Sequence, residues 1–169
     1  IMEKLRLLRN HGLGTRDDVM VWGHNARLDS LQAVVANGLI GNAKPITDQR
    51  IANAKYYDEA FADLSDSIII PPRRNNFKQV YHTYVIRVTN RDSLLENLIK
   101  KGIQAKVHYP VPLHLQPAAK GLGYSKGDFP VCEEHCRTII SLPVHQHLSP
   151  DQLEYVVQNV RRFYNAPAR

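Results

Sequence analysis

Apolar residues along the chain recur first at helical and then at strand spacing. Met2 to Arg9 carries Leu5, Leu7 and Leu8, places Arg6 and Arg9 near its end and meets Asn10-His11-Gly12, which predicts a short helix and its stop. Gly12 and Gly14 mark a loop to about Val21. Leu28, Leu31, Val34, Val35 and Leu39 predict a helix that Asn25 could cap. Gly41 and Pro45 interrupt it, and a second helix is expected over about Thr47 to Leu64, with Ile51, Ala54, Tyr57 and Phe61. Ser65 to Asn76 reads as a connection around Ile68-Ile69-Ile70. A strand follows, with Val80, Tyr84, Ile86 and Val88 on one face and Thr83, Val85 and Arg87 on the other. Asn90 or Thr89 would cap a helix burying Leu94, Leu95, Leu98 and Ile99, with Gly102 at its C′ position. Ile103 to Val107 is the next expected strand, which makes a β-α-β outline. Phe129 to Arg137 predicts a helix and Thr138 to Leu142 a third strand. Ser149-Pro150-Asp151 starts a last helix with Leu153, Val156, Val157, Val160 and Phe163 on its apolar face.

The expected fold is α/β, of the α+β small-domain kind, with long helices packed on a small three-stranded sheet. Residues 1–64 are expected to form interface helices and 65–169 a small α/β domain. Composition adds limits. With 169 residues, 43% hydrophobic and 22% charged, the chain is an ordinary globular protein, and no apolar run approaches the ~20 residues of a membrane span. The net charge of +6 comes from scattered groups such as Arg73-Arg74, Lys100-Lys101 and Arg161-Arg162, without a nucleic-acid-binding motif. Neither nucleic acid nor membrane is an expected partner. Cys132 and Cys136 would share a helix face, with His135 or His145 as conceivable companions. Further ligands at metal spacing are missing, so no metal site is expected. Two sparse thiols fit a reducing, cytoplasmic setting.

The stretch His108-Tyr109-Pro110-Val111-Pro112-Leu113-His114 puts two imidazoles and a phenol in a loop stiffened by two prolines. Such a loop after an apolar run suits ligand contact. It equally suits a rigid corner whose rings fill core space.

Gly23-His24-Asn25-Ala26-Arg27-Leu28-Asp29-Ser30-Leu31-Gln32-Ala33 resembles the G-x-N-x-R-L-D-x-L-Q-A signature of the DegT/DnrJ/EryC1/StrS family of nucleotide-sugar aminotransferases. Leu8 to Gly12, His108 to Pro117, Gly127-Asp128-Phe129-Pro130 and Ser141-Leu142-Pro143 resemble further segments of that family in the same order. The resemblance implies the C-terminal part of a fold-type I enzyme dependent on pyridoxal 5'-phosphate. Such enzymes act as homodimers and move an amino group from glutamate to a nucleotide-linked keto-sugar, with 3-keto sugars slightly favoured over 4-keto sugars. The family's Schiff-base lysine lies upstream of the Asn-His-Gly segment. The chain is therefore expected to be a C-terminal fragment that cannot transaminate alone and contributes no catalytic residue.

By the same resemblance, Asn25 and Arg27 match residues at the cofactor phosphate, an anion that amide and guanidinium donors suit. Asn25 could instead only cap its helix, and Arg27 could pair with Asp29 or a carboxylate on a facing helix. His108, Tyr109 and His114 match positions near the sugar nucleotide, where His114 could instead only brace the loop. Asp29, Gln32 and Asp128 are expected to cap or brace. Trp22 and Tyr84 are expected in core or interface, and His145 and His147 in a surface loop. Two other readings stay open: a non-catalytic dimerisation or regulatory module of the same fold, and an unrelated α/β module binding sugar nucleotides or nucleic acid.

Overall fold

The computed structural model describes residues 1–165. By packing, one unit runs from Ile1 to Ala43 and a second from Lys44 onward. The sequence expectation drew its boundary at residue 64. The packing boundary falls earlier because the following helix, α3, buries Ala54 and Tyr57 in the core of the second unit.

In the first unit, α1 (Met2–Arg9) ends at Asn10. The chain then doubles back, and Asn10 and Asn25 form an antiparallel bridge, as do Leu13 and Val19. The amides of His24 and Ala26 donate to Leu8 and Arg9 carbonyls at 2.7 and 2.8 Å. This crossing explains the glycine of the motif: a Cβ on Gly23 would lie 2.4 Å from the Gly12 nitrogen. Helix α2 (Ser30–Ile40) starts later than expected. Its N-cap is Asp29, whose N–H donates to Gln32 Oε1 at 3.1 Å in a capping box. Asn25 is not the cap, because the bridge to Asn10 holds it in extended backbone five residues before the helix.

Helix α3 (Ala43–Ala60) belongs to the second unit from Lys44 on. Pro45 lies inside the first turn of α3, where its missing N–H costs no intrahelical bond, so the helix begins before the expected Thr47. The sheet has the order β1-β2-β3 and is antiparallel throughout, from β1 (Ile68–Ile69), β2 (Tyr84–Val88) and β3 (Ile139–Leu142). The run Ile68–Ile69 is thus an edge strand rather than part of a connection. Val80 stays outside β2 and is exposed. The β-α-β expectation is corrected: Ile103 to Val107 pairs with β3 only through an antiparallel bridge between Lys106 and Ser141, leaving no parallel pair.

Tyr84, Ile86 and Val88 alternate inward and join Ile140 and Leu142, α3, α4 (Arg91–Lys100) and α6 (Pro150–Asn165) in one core. Helix α4 buries Leu94 and Leu98 while Ile99 is exposed. Its end is a Schellman turn: Ile103 N–H donates to Leu98 O and Gly102 N–H to Ile99 O, both at 2.9 Å, with Gly102 at φ +76°. Helix α5 (Pro130–Thr138) meets the other face of β2 where Arg87 reaches Glu134 at 3.2 Å. Tyr84 is core, as expected, and Trp22 is exposed, which excludes the core for it but not an interface. No helix of the described residues is long and apolar enough to cross a membrane.

Candidate functional site

In the first unit, the loop before α2 presents Asn25 and Arg27 side by side, both exposed. Arg27 Nε donates to Asn25 Oδ1 at 3.2 Å, rather than pairing with Asp29. The bond occupies the amide oxygen and turns the remaining amide and guanidinium N–H groups into a cluster of donors without a partner among the described residues. That donor set fits a phosphate ester, so these residues suit the cofactor phosphate chemically.

In the second unit, the bridge that replaces the expected strand sets up the His108 loop. Lys106 N–H donates to Ser141 O at 3.0 Å and Ser141 N–H donates to Lys106 O at 2.8 Å. Two residues further on, His108 Nδ1 lies 2.9 Å from Ser141 Oγ. Tyr109 is 71% exposed, its ring edge-on to His108 at 5.6 Å.

The prolines do not hold the loop alone. His114 Nε2 lies 3.0 Å from Glu133 Oε1, the imidazole side chain is 7% exposed, and the ring packs 4.8 Å from Phe129. Gly127 N–H donates to the same carboxylate oxygen at 2.7 Å. The Gly127 amide, reinforced by His114, holds the Glu133 carboxyl below the usual glutamate range. Asp128 braces the adjoining turn by accepting the Ser125 N–H at 2.7 Å, in line with its expected structural part. The structure therefore brings His108 and Tyr109 to an open surface and puts His114 behind it.

Two clefts flank that surface. One, of about 160 Å³, is lined by Arg50, His82, Lys106, His108, Ser141 and His145, with no carboxylate among its lining residues. Lys106 Nζ has no partner among the described residues. Arg50, from α3, donates through Nη1 to the carbonyls of Tyr81 and His82 and through Nε to Gln146, each at 3.1 Å. Asn53, one turn on, donates to the carbonyl of His145 at 3.0 Å. This ring of cations and imidazoles suits a carboxylate or phosphate. The other cleft, about 600 Å³, is mostly apolar and runs from Tyr109 past Phe129 to Cys132 and Cys136. Burial, with Cys132 beside it, pushes the Cys136 thiol up, so it stays protonated.

Arg50, Lys106, Ser141 and Glu133 were not candidates on sequence grounds. One signal was available for Ser141: it is a hydroxyl in the otherwise apolar run Ile139 to Leu142, and must meet a partner wherever that strand is covered. His145 lines the polar cleft from an exposed loop, as its sequence reads. All nine lysines are exposed, so none sits in the desolvated setting that lowers an amine's pKa.

The chain matches the DegT/DnrJ/EryC1/StrS aminotransferase family over residues 1–161. It is 34% identical to the "Pleiotropic regulatory protein" of Geobacillus stearothermophilus over 97% of this chain and 44% of that protein. It is also 34% identical to the dTDP-3-amino-3,4,6-trideoxy-alpha-D-glucose transaminase of Streptomyces venezuelae, over 96% of this chain and 43% of that one. The solved structure of S. venezuelae DesV in complex with a ketimine intermediate superposes with a TM-score of 0.91 at 33% identity, covering 99% of this chain and 45% of that chain. The chain thus spans less than half the length of these relatives. With the family match running over residues 1–161, the chain belongs to the DegT/DnrJ/EryC1/StrS aminotransferase family.

Proposed function

We propose that this chain is the C-terminal part of a pyridoxal 5'-phosphate-dependent enzyme that moves an amino group from glutamate to a keto-sugar carried on a nucleoside diphosphate, at carbon 3 of the sugar. The observation that carries this reading is the family match over residues 1–161. The Streptomyces venezuelae transaminase, a protein named for a 3-amino sugar, supports the choice of carbon.

In this reading Asn25 and Arg27 donate hydrogen bonds to the cofactor phosphate in a homodimer. His108 and Tyr109 line the keto-sugar and position it by hydrogen bonds, and Ser141 sets the imidazole's orientation. His114 works behind them: tied to Glu133, it fixes the loop's course. The carboxylate-free cleft beside His108 receives an anionic end of a substrate. Pyridoxal 5'-phosphate, when bound, supplies the electron sink for the amino transfer. The exposed lysines of this chain do not supply the amine that carries it.

The test uses the full-length protein that contains this chain, loaded with pyridoxal 5'-phosphate and given glutamate with 3-keto or 4-keto nucleotide sugars. Amino transfer to the 3-keto substrate is expected, with none from the 169-residue chain alone. Transfer by the isolated chain, or a full-length protein inert on every keto-sugar nucleotide, contradicts the reading. The name of the Geobacillus relative favours a second reading, a non-catalytic regulatory protein of the same fold. An inert full-length protein that still dimerises supports it.

A further inference from the structure

We infer that Cys132 and Cys136 of α5 form a two-coordinate site for a soft monovalent cation, copper(I), at the far end of the apolar cleft, a site that no part of the reading above uses. Both residues line that cleft, Cys132 exposed and Cys136 buried, and both are free thiols.

Their spacing suits a bridging ion better than a disulfide. Helix α5 runs unbroken through both positions. Residues four apart stand one above the other on a helix face, with Cβ atoms about 5–6 Å apart. A direct sulfur–sulfur bond needs about 3.5–4.5 Å between them, so an intact helix holds the pair too far apart to close. An ion between the sulfurs spans the longer gap, because two metal–sulfur bonds of about 2.3 Å each replace one sulfur–sulfur bond.

The ligand count selects the ion. His135 lines the same cleft, yet no group of three or more histidines, cysteines or carboxylates that could hold a metal forms among the described residues. Zinc, which takes four ligands, is therefore not suited. Copper(I) prefers soft thiolates and is satisfied by two of them in line. The apolar walls at Phe129, Val131 and Ile139 keep competing oxygen ligands sparse around the sulfurs.

The charge balance fits as well. As the two copper–sulfur bonds form, each thiol gives its proton to water, and copper stays in its +1 state, so no electron moves. The resulting bis-thiolate carries one negative charge. Arg91 stands ready to offset it. Its side chain is 9% exposed, and its Nη1 donates to the carbonyls of Cys136 and Ile139, both at 3.1 Å. Its charge favours the Cys136 thiolate, against the burial that opposes it. The carboxylate that Arg91 also meets, Asp92 at 2.6 Å, is exposed and screened by water.

Anaerobic titration of the full-length protein with copper(I), in competition with a chromophoric copper(I) chelator, tests this in the wild type, Cys132→Ser and Cys136→Ala. The wild type is expected to retain one more copper(I) per chain than either variant, with circular dichroism unchanged. Cys132 is exposed, so Cys132→Ser leaves the core intact and carries the test even where Cys136→Ala fails to fold. Equal copper(I) uptake by the wild type and Cys132→Ser overturns the inference. So does a folded Cys136→Ala that still takes up the extra ion.

Discussion

Glu133 joins two loops through one oxygen, accepting from the Gly127 amide and facing the His114 imidazole. Both contacts favour the carboxylate, so the folded chain holds it below the glutamate value of about 4.3 seen in open chain. A carboxyl depressed on folding contributes stability that is fully present above its unfolded value. That stability is lost as pH falls through the folded one. The Gly127 amide and His114 ring resonances are therefore expected to shift together in an acid NMR titration, with a midpoint below about 4.3. Glu133→Gln is expected to remove that step. A midpoint at or above the open-chain value contradicts the linkage. The residue types of this loop are legible in the sequence, since rings, prolines and a nearby Asp128 all announce an ordered corner. Which ring faces outward is not. His108 and His114 are equivalent on paper, and they differ only because Ser141 lies under one and Glu133 beside the other.

Among elements, starts and stops written in local chemistry come through where the chain is locally free. Ser149 caps α6 as its sequence predicts: its Oγ accepts the Gln152 N–H at 3.2 Å, and Gln152 Oε1 accepts the Ser149 N–H at 2.9 Å. Ser149→Ala is expected to cost about 1 kcal/mol, lowering Tm by about 2–4 °C in a calorimetric melt. An unchanged Tm would show that packing of Leu153, Val156, Val157 and Val160 alone sets the helix start. Gly102 likewise ends α4 where expected. Asn25 has the chemistry of a cap yet serves another purpose, because an earlier segment claims its backbone. Ile103 to Val107 has the composition of a strand yet forms a single bridge, between Lys106 and Ser141, because strandhood depends on a pairing neighbour as well as on composition.

Over the whole molecule, α2 is the element with most left uncovered. Leu31, Val34, Val35 and Leu39 are all exposed, and the helix buries no residue. The proposed homodimer gives that face a use. Val34→Glu combined with Leu39→Lys is expected to reduce the mass of the full-length protein by light scattering from dimer to monomer, with helical circular dichroism unchanged. A dimer that survives both charges does not use this face. The sequence by itself determined most of the helices, the last helix and its cap, the inward alternation of Tyr84, Ile86 and Val88, and the family. All of these rest on short-range spacing or on motifs of consecutive residues. Only the tertiary structure decided that the sheet is antiparallel, that α3 belongs with it, and that His114 is a brace. It alone placed Ser141 against His108, Arg50 against Tyr81 and Asp58 against Arg73. Those contacts join residues 15 to 33 positions apart. They exist because particular faces of helices and strands meet on one core, which no local pattern of residues encodes.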